Sequence, residues 1–467
     1  MELDPRIAGY STSDESSFAY TSARDRWPSI LQGAIADLFA SSATLKDTEA
    51  SAEAERIIEQ FRELEAEIKS DGKLPPLWDD GSPDIADYND ELAQRNPTWL
   101  NVFWLFGECY LYRRIDTFFS RSVNWKGYDV FAQQKKSTCQ SSKTAIVELA
   151  HRYKGIIDNP SPNHSELEAL CFKEMCEICL WGNATDLSLL TSLTYEDIQK
   201  LQGSEARKAQ EKNILVNDIP AAYNVLSEVR RERGTGGRVD IVLDNSGFEL
   251  YVDLLLADYL LSTGLASRVI LHPKSMPWFV SDVVPADLAD LLLVLSEPES
   301  FFEEQNSKNS QNAGQTLTES EKTDLISLGK RWNAFQKSGQ LILQENAFWT
   351  TAGSYWRLPH KAPGLFKGFQ ESDLVIFKGD LNYRKLTGDV QWDATTSYSK
   401  AIGPLGLGSG VRTLALRTCK ADVVVGLAEN QDEQVQREHG GNADPKARTW
   451  AWTGKWAVAS FNDGKAI

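Results

Sequence analysis

The spacing of apolar residues divides the chain into two parts. In the first 205 residues, apolar positions recur at helical spacing, as in the charged stretch at residues 45–68. Residues 98–115 form a strongly aromatic run that we predict to be a buried helix, and residues 165–180 are predicted to form another. From about residue 206, short apolar runs alternate with helical segments, which is typical of a mostly parallel sheet.

Short apolar runs in the second part are the predicted strands. They lie at residues 239–243, 268–271, 341–343, 374–378, 413–417, 423–426 and 456–460. The helices predicted between them lie at residues 248–261, 286–295 and 321–336. Two polar stretches, at residues 303–319 and 429–446, are predicted to be a surface loop and an exposed excursion.

These elements predict an α/β fold and two domains. A helical N-terminal domain at residues 1–205 is expected to pack on an α/β domain at residues 206–467. A chain of 467 residues is too long for one simple core, so its length predicts either two domains or one large elaborated domain.

The composition limits the partners and the compartment. Lys and Arg number 49 against 66 Asp and Glu, which gives a formal net charge of −17. A surface of that sign repels nucleic acid and anionic membranes, so we expect neither as a partner. No apolar run approaches the roughly 18 to 20 residues of a membrane helix, and the acidic N-terminus contains no visible secretory signal. Six cysteines are too few for a disulfide scaffold and fit a reduced, cytoplasmic protein, with a nuclear location left open.

The first polar cluster follows the predicted strand at residues 239–243. Asp244 and Asn245 end that strand with two oxygen ligands, and Gly247 lets the chain turn into the next helix. A carboxylate, an amide and a helix N-terminus then share one place, which suits a divalent cation and a phosphate. The same two residues would also fit a simple turn capped by an Asp or Asn side chain.

The second cluster lies at residues 271–283, where two prolines forbid a regular helix. We expect this rigid loop to return Asp282 to the carboxyl edge of the sheet. Together with Asp244 and Asn245 it would form an all-oxygen site of the kind that Mg²⁺ or Mn²⁺ prefers, and Co²⁺ or Ni²⁺ would also fit. Taken alone, Asp282 is more simply explained as a helix N-cap.

Two further clusters follow later predicted strands. Asn382 and Arg384 could bind the hydroxyls and the phosphate of a polar substrate. Asp380 could accept a hydrogen bond from a sugar hydroxyl or act as a base. Lys420, just after the strand at residues 413–417, could neutralise a phosphate in the same crevice.

In this order the clusters resemble the metal-dependent damage-control phosphatases, a family long catalogued as domain of unknown function 89. The likeness covers nearly the whole chain and includes Arg417-Thr418-Cys419-Lys420, which matches the Arg-Thr-x-Lys motif of the eukaryotic subgroup. It implies a three-layer α/β/α, Rossmann-like core with a helical N-terminal part. Residues 206–467 would then be the metal-binding catalytic domain, and we expect a monomer or a weak homo-oligomer.

The resemblance also implies roles for individual residues. The metal ligands would be Asp244, Asn245 and Asp282, and the catalytic residues would be Asp244, Asp380 and Lys420. Substrate contacts are expected from Glu249, Asp380, Asn382, Tyr383, Arg384, Arg417 and Lys420.

The implied activity is metal-dependent hydrolysis of phosphomonoesters of small metabolites, with sugar phosphates such as fructose 1-phosphate and fructose 6-phosphate as the expected substrates. The attacking group would be either Asp244, through an aspartyl-phosphate, or a water on the cation, and we favour Asp244. The alternative function is an S-adenosylmethionine-dependent protein-glutamate O-methyltransferase. Such enzymes usually have a Gly-rich turn after the first strand, whereas here that strand ends in Asp-Asn. A non-catalytic sensor of sugar phosphate or metal is a third interpretation.

Overall fold

A computed structural model of the chain describes residues 3–158, 165–182, 212–303, 316–440 and 447–465. The strands are β1 (Ile214–Asn217), β2 (Gly237–Val242), β3 (Ala266–His272), β4 (Leu341–Leu343), β5 (Leu374–Lys378), β6 (Arg412–Thr418) and β7 (Ala457–Asp463). They form one seven-stranded sheet with the spatial order β1-β7-β6-β5-β2-β3-β4.

Helices cover the sheet on both sides. Those before the sheet are α1 (Phe18–Thr21), α2 (Trp27–Ser42), α3 (Thr48–Lys69), α4 (Asp84–Arg95), α5 (Trp104–Ser120), α6 (Ala132–Ser141), α7 (Lys143–Asp158) and α8 (Ser165–Trp181). Those that follow β1 are α9 (Ile219–Arg233), α10 (Phe248–Ser262), α11 (Pro285–Ser296), α12 (Pro298–Glu303), α13 (Glu319–Ser338), α14 (Leu358–Lys361), α15 (Pro363–Glu371), α16 (Gly379–Thr387), α17 (Tyr398–Ala401) and α18 (Gln431–His439). A π-helical turn (Ser22–Arg26) joins α1 to α2, and short 3₁₀ turns lie at Ala347–Thr350, Tyr355–Arg357, Gly403–Leu405 and Thr449–Trp452.

The order of the strands creates a switch point in the middle of the sheet. All neighbouring strands run parallel except β6 and β7, which are antiparallel. Strands β2 and β5 lie side by side, with Val242 paired to Phe377 at their carboxyl ends. From β2 the chain continues outward to β3 and β4, whereas from β5 it continues to the opposite side. Open α/β sheets bind their ligands at such a switch point.

The sheet lies between two apolar cores. Successive side chains of a strand point to opposite faces of the sheet, so the apolar residues of β5 enter both cores in turn. Val375 and Phe377 join one core with helices α1–α5, and Leu374 and Ile376 join the other core with helices α6–α13. The structure therefore confirms the predicted α/β fold with a three-layer α/β/α core and a helical N-terminal region.

The N-terminal helices divide between these two cores. Helices α1–α5 belong to the first core, whereas α7 packs on α13 and α8 packs on α10. The predicted domain boundary at residue 205 lies outside the described residues, so the division into two domains stays a prediction.

The predicted strand at residues 423–426 is wrong. Val423 and Val425 are buried, but they lie in a loop whose carbonyl oxygens accept hydrogen bonds from the side chains of Arg417 and Tyr383. A buried apolar run therefore has its backbone groups satisfied without a neighbouring strand. Strand β1 was not predicted, because only one of its four residues is fully buried and it gives a weak apolar signal.

Two polar stretches remain partly outside the described residues. Residues 304–315 of the predicted surface loop lie outside the described residues. Residues 441–446 of the predicted exposed excursion also lie outside them, whereas the earlier half of that excursion contains α18.

All six cysteines are buried and none forms a disulfide. Among the helices of the described ranges, none combines the length and the apolar character needed to cross a bilayer.

Candidate active site

The carboxyl end of β2 is joined to the loop that follows β3. The N–H of Val283 donates a hydrogen bond to the carbonyl of Asp244 (2.8 Å), and an isolated antiparallel bridge pairs Asn245 with Asp282. The structure therefore brings together the three predicted metal ligands, which come from two separate stretches of the chain.

The loop before Asp282 has a strained backbone that aromatic packing holds in place. Phe279 and Val280 have φ angles of 46° and 72°, in the left-handed region that disfavours bulky and β-branched residues. Phe279 stacks on Tyr112 of α5 with 4.8 Å between ring centroids, and the neighbouring Trp278 is fully buried. Strain of this kind persists only where the surroundings enforce it, and it concentrates at functional sites. The N-terminal helical layer thus helps to fix the position of Asp282.

The N-terminus of α16 lies directly against the carboxylate of Asp244. Gly379, the first residue of α16, has a φ of +82°, and a β-carbon at this position would lie 1.9 Å from Oδ2 of Asp244. Only glycine permits both this conformation and this approach. The first turn of α16, and with it the positive end of the helix dipole, therefore lies beside the carboxylate at the switch point.

Asp244 shares its buried surroundings with the carboxylates of Glu249 and Asp282. Burial, followed by the charges of Glu249 and Asp282, holds the pKa of Asp244 well above its usual range, and the charges of Lys274 and Lys420 only partly oppose this. Burial also raises the pKa of Asp282 to about 6, against the attraction of Lys274, whose Nζ lies 3.4 Å from Oδ2 of Asp282. Burial and mutual repulsion therefore disfavour the ionised form of both carboxylates, and an additional positive charge would favour it.

The amide of Asn245 is oriented by three neighbours. Its Nδ2 donates hydrogen bonds to Oδ2 of Asp244 (2.8 Å) and to Oε2 of Glu249 (2.8 Å). Its Oδ1 accepts a hydrogen bond from the hydroxyl of Ser281. Because acceptors surround the nitrogen and a donor meets the oxygen, the network assigns one orientation of the amide. The amide oxygen consequently faces the loop that carries Asp282.

A buried ion-pair cluster lies behind Glu249. Nζ of Lys378 is 2.6 Å from Oδ1 of Asp253 and 3.2 Å from Oε1 of Glu249, and all three side chains are buried. Burial disfavours the charged lysine, but the two carboxylates outweigh it and hold the pKa of Lys378 above its usual range. Glu249 and Asp253 lie one turn apart on α10, so Lys378 fastens α10 to the end of β5.

The oxygen atoms at this strand end fit a hard divalent cation. Oδ2 of Asp282 is buried, and its ion pair with Nζ of Lys274 is long, at 3.4 Å, without a well-formed hydrogen bond. A buried charged oxygen with so weak a partner is costly, and a metal cation would stabilise it further. Among the described residues, no three His, Cys, Asp or Glu side chains form a metal-binding group. The predicted ligand set contains only two such side chains, because its third member is the amide of Asn245.

Asp380 and Lys420 meet at the neighbouring strand ends. Oδ1 of Asp380 accepts hydrogen bonds from Nε of Arg417 (2.8 Å) and from the backbone N–H of Lys420 (2.9 Å). The side chain of Lys420 is half-buried, and its ammonium group has no hydrogen-bond or ion-pair partner among the described residues. Since its charge acts on Asp244, this ammonium group is available to an anion at the switch point.

Comparison with known proteins agrees with this geometry. A family model described as the damage-control phosphatase ARMT1-like domain matches residues 22–435. The chain belongs to the damage-control phosphatase ARMT1-like family. Damage-control phosphatase ARMT1 of Danio rerio is 32% identical over 463 residues, which cover 96% of this chain and 95% of the relative. The protein of the same name from Xenopus laevis is 34% identical over 473 residues, covering 98% and 99%.

A solved structure of a DUF89 family protein from Pyrococcus horikoshii covers 97% of this chain and 100% of its own, at 13% identity and a TM-score of 0.41. That likeness is too low to support an inference. The sequence relatives and the family model confirm the predicted family, and they confirm the prediction that this ARMT1-like chain is a phosphatase.

Several predicted substrate residues of this ARMT1-like chain are buried and already bonded to protein groups. Arg384 donates to Glu108 (2.7 Å) and to Asp389 (2.8 Å), and its guanidinium lies 3.7 Å from the ring centroid of Trp104. The side chains of Asn382, Tyr383 and Arg417 are fully buried as well. Their contact with substrate stays a prediction.

Asn382 holds the two central strand ends together. Its Nδ2 donates to the carbonyls of Lys378 (2.7 Å) and Leu243 (3.0 Å), and its Oδ1 accepts from the hydroxyl of Tyr355 (2.6 Å). Asn382 therefore links β2, β5 and the loop before α14.

Sequence reasoning missed two buried lysines of the site. Nζ of Lys274 donates to the carbonyl of Leu243 (2.9 Å) and lies 3.4 Å from Asp282 and 3.4 Å from Oδ1 of Asn382. Lys378 forms the ion-pair cluster behind Glu249. A lysine is usually exposed, so nothing about the residue type suggested that Lys274 or Lys378 is buried. The one available signal was the position of Lys378 at the end of a fully apolar strand.

Proposed function

We propose that this ARMT1-like protein is a metal-dependent phosphatase for phosphomonoesters of small metabolites, with sugar phosphates such as fructose 1-phosphate and fructose 6-phosphate as substrates. The observation that carries the proposal is the charge of the buried cluster at the switch point. It consists of Asp244, Glu249, Asp253, Asp282, Lys274 and Lys378. Four carboxylates and two lysines give a formal charge of −2, which one divalent cation would balance.

Asp244, Asn245 and Asp282 would hold that cation through their side-chain oxygens. The ligand type suits Mn²⁺ and Mg²⁺, and it also accepts Co²⁺ or Ni²⁺. When bound, the cation would polarise the phosphoryl group and offset the negative charge of its oxygens.

The groups that would bind the phosphate come from the strand end beside Asp244. The first residue of α16 lies against this carboxylate, and the unpartnered ammonium of Lys420 acts on it electrostatically. N–H groups at a helix N-terminus and a lysine together favour a phosphate dianion. The arrangement supports binding of the phosphoryl group next to Asp244.

In the proposed reaction, Asp244 is the nucleophile. One of its oxygens attacks phosphorus, the ester P–O bond breaks, and the alcohol leaves with a proton from solvent. Water then attacks the aspartyl-phosphate, and Asp380 accepts the proton of that water as orthophosphate is released. Asp380 suits the part of a base because Arg417 and the N–H of Lys420 hold its carboxylate in a fixed position.

We propose a cytoplasmic location for this activity. Six buried cysteines without a disulfide support a reducing compartment.

The test is a panel of phosphomonoesters crossed with Mg²⁺, Mn²⁺, Co²⁺ and Ni²⁺ after removal of bound metal by a chelator. The proposal predicts release of orthophosphate that stops with chelator and returns with metal. Asp244→Asn should abolish the release, and a beryllium fluoride adduct should form on Asp244 of the wild type only. The matched control is Asp290→Asn, since Asp290 is an exposed carboxylate on α11 and lies outside the cluster.

Two results would contradict the proposal. One is orthophosphate release that is unchanged by the chelator. The other is the absence of release with every ester and metal, together with tight binding of S-adenosylmethionine, which would favour the methyltransferase.

A further inference from the structure

The cations expected to bind substrate are mostly occupied by protein groups. Arg384 forms ion pairs with Glu108 and Asp389, and Arg417 binds Asp380 and backbone carbonyls. Both guanidinium groups are buried. A phosphorylated substrate arriving at the switch point would therefore meet other cations first, and Lys420 is one of them.

Arg26 is a second cation with the required freedom. It ends the π-helical turn between α1 and α2, and π-helical turns are frequent at functional sites. Its side chain is exposed, and its guanidinium lies 5.3 Å from the ring centroid of Phe18. Among the described residues it has no carboxylate partner. An unpaired arginine resting on an aromatic ring keeps its planar donors available to an oxyanion.

Phe18 connects Arg26 to the loop of Lys420. The Phe18 ring stacks on Trp452 with 5.4 Å between centroids, and the Phe18 N–H donates to Oδ2 of Asp422 (3.1 Å). The indole N–H of Trp452 donates to the other oxygen of the same carboxylate (2.9 Å). Asp422 follows Lys420 by two residues, so the residue on which Arg26 rests contacts the loop that carries Lys420.

Phe18 also contacts α5, the helix that supports the loop of Asp282, because its ring lies edge-on to Trp104 with 6.0 Å between centroids. Tyr112 stacks on Phe279, which precedes Asp282 in the strained loop. Burial is the main cause of the raised pKa of the Tyr112 hydroxyl, and the charges of both Arg26 and Asp282 act on the same hydroxyl. Phe18, on which Arg26 rests, therefore contacts both the loop of Lys420 and the helix that supports the loop of Asp282.

We propose that Arg26 is a specificity-determining residue that binds an oxyanion of the phosphorylated substrate beside the loop of Lys420. The inference rests on the proposed phosphatase function and extends it to a residue of the N-terminal helical layer. Arg26 would contribute to binding before the chemical step, so its loss should raise KM and leave kcat nearly unchanged.

The experiment compares Arg26→Gln and Arg26→Lys with the wild type, using fructose 1-phosphate and p-nitrophenyl phosphate as probes. Loss of a charge-assisted, bidentate contact should raise KM about tenfold in Arg26→Gln, with kcat within about twofold. The KM of Arg26→Lys should lie between those of the wild type and Arg26→Gln, since a lysine keeps the charge and loses the planar donors. The inhibition constant of orthophosphate should rise by a similar factor in Arg26→Gln.

Arg121→Gln is the matched control. Arg121 is also exposed and rests on an aromatic ring, 3.9 Å from the centroid of Trp78, but it caps the far end of α5. The length of α5 puts it about 25 Å from Trp104, which contacts Phe18. Unchanged KM in Arg26→Gln, or an equal rise in Arg121→Gln, would overturn the inference and leave the phosphatase proposal intact. A wild type that releases no phosphate from any ester would overturn both.

Discussion

Substitution of Gly379 by alanine tests how tightly Asp244 is packed against α16. The added β-carbon would lie 1.9 Å from Oδ2 and 2.1 Å from Cγ of Asp244, where ordinary contacts begin at 3.4 Å. The carboxylate would have to move by about 1.5 Å or α16 would have to move away from it. A misplacement of about 1 Å at a reacting group can cost about a hundredfold in rate. We therefore expect kcat to fall at least about a hundredfold.

The same substitution carries a separate cost in stability. At a φ of +82°, alanine is disfavoured by about 1–2 kcal/mol relative to glycine. Gly339→Ala isolates this cost, because Gly339 has a φ of +74° at the end of α13 and no atom within 4 Å of the added carbon. Urea unfolding should show a loss of about 1–2 kcal/mol in Gly339→Ala and a larger loss in Gly379→Ala, because the clash with Asp244 adds to the conformational cost.

The assay is steady-state phosphate release with saturating substrate and metal, measured beside urea unfolding. We expect a large loss of kcat in Gly379→Ala and near wild-type kcat in Gly339→Ala. A kcat of Gly379→Ala within about threefold of the wild type would refute this expectation, because it would mean that catalysis does not depend on the present position of the Asp244 carboxylate.

Two further predictions concern the buried charges of the site. Lys378→Met should lower the free energy of unfolding by about 3–5 kcal/mol, because it leaves Glu249 and Asp253 buried without their cation; urea unfolding with an unchanged midpoint would contradict this. In the presence of chelator, the wild type should be more stable at pH 5 than at pH 7.5. The native pKa of Asp282 is about 6, above its ordinary 3.8, so stability is present at low pH and is lost as pH rises through about 6. Asp282→Asn should reduce the change of the free energy of unfolding with pH by up to about 1.4 kcal/mol per pH unit. An unaltered pH dependence would contradict a raised pKa of Asp282.

The sequence was sufficient for the layers of the fold and for most strands. Short apolar runs located β2 to β7, because all of these strands except the short edge strand β4 are mostly buried. The strand predicted at residues 423–426 failed since burial alone does not distinguish a strand from a loop. Only the fold reveals that side chains such as Arg417 satisfy the carbonyl groups of that loop.

The candidate site was predictable where polar residues directly follow strands. Asp244, Asn245 and Asp282 meet as expected, because parallel strands end at one edge of the sheet. Lys274 and Lys378 were missed, since their burial depends on contacts between distant segments. Arg26 was missed for the same reason. It is positioned by a π-helical turn and by the ring of Phe18, and neither feature can be recognised from the sequence.

The central claim is that a divalent cation binds between the loop after β2 and the loop after β3. Anomalous diffraction from crystals soaked in Mn²⁺ tests it most directly. The account predicts one strong peak about 2–2.5 Å from side-chain oxygens of Asp244, Asn245 and Asp282. A saturated crystal with no peak at these three residues, or with its only peak elsewhere, would contradict the claim.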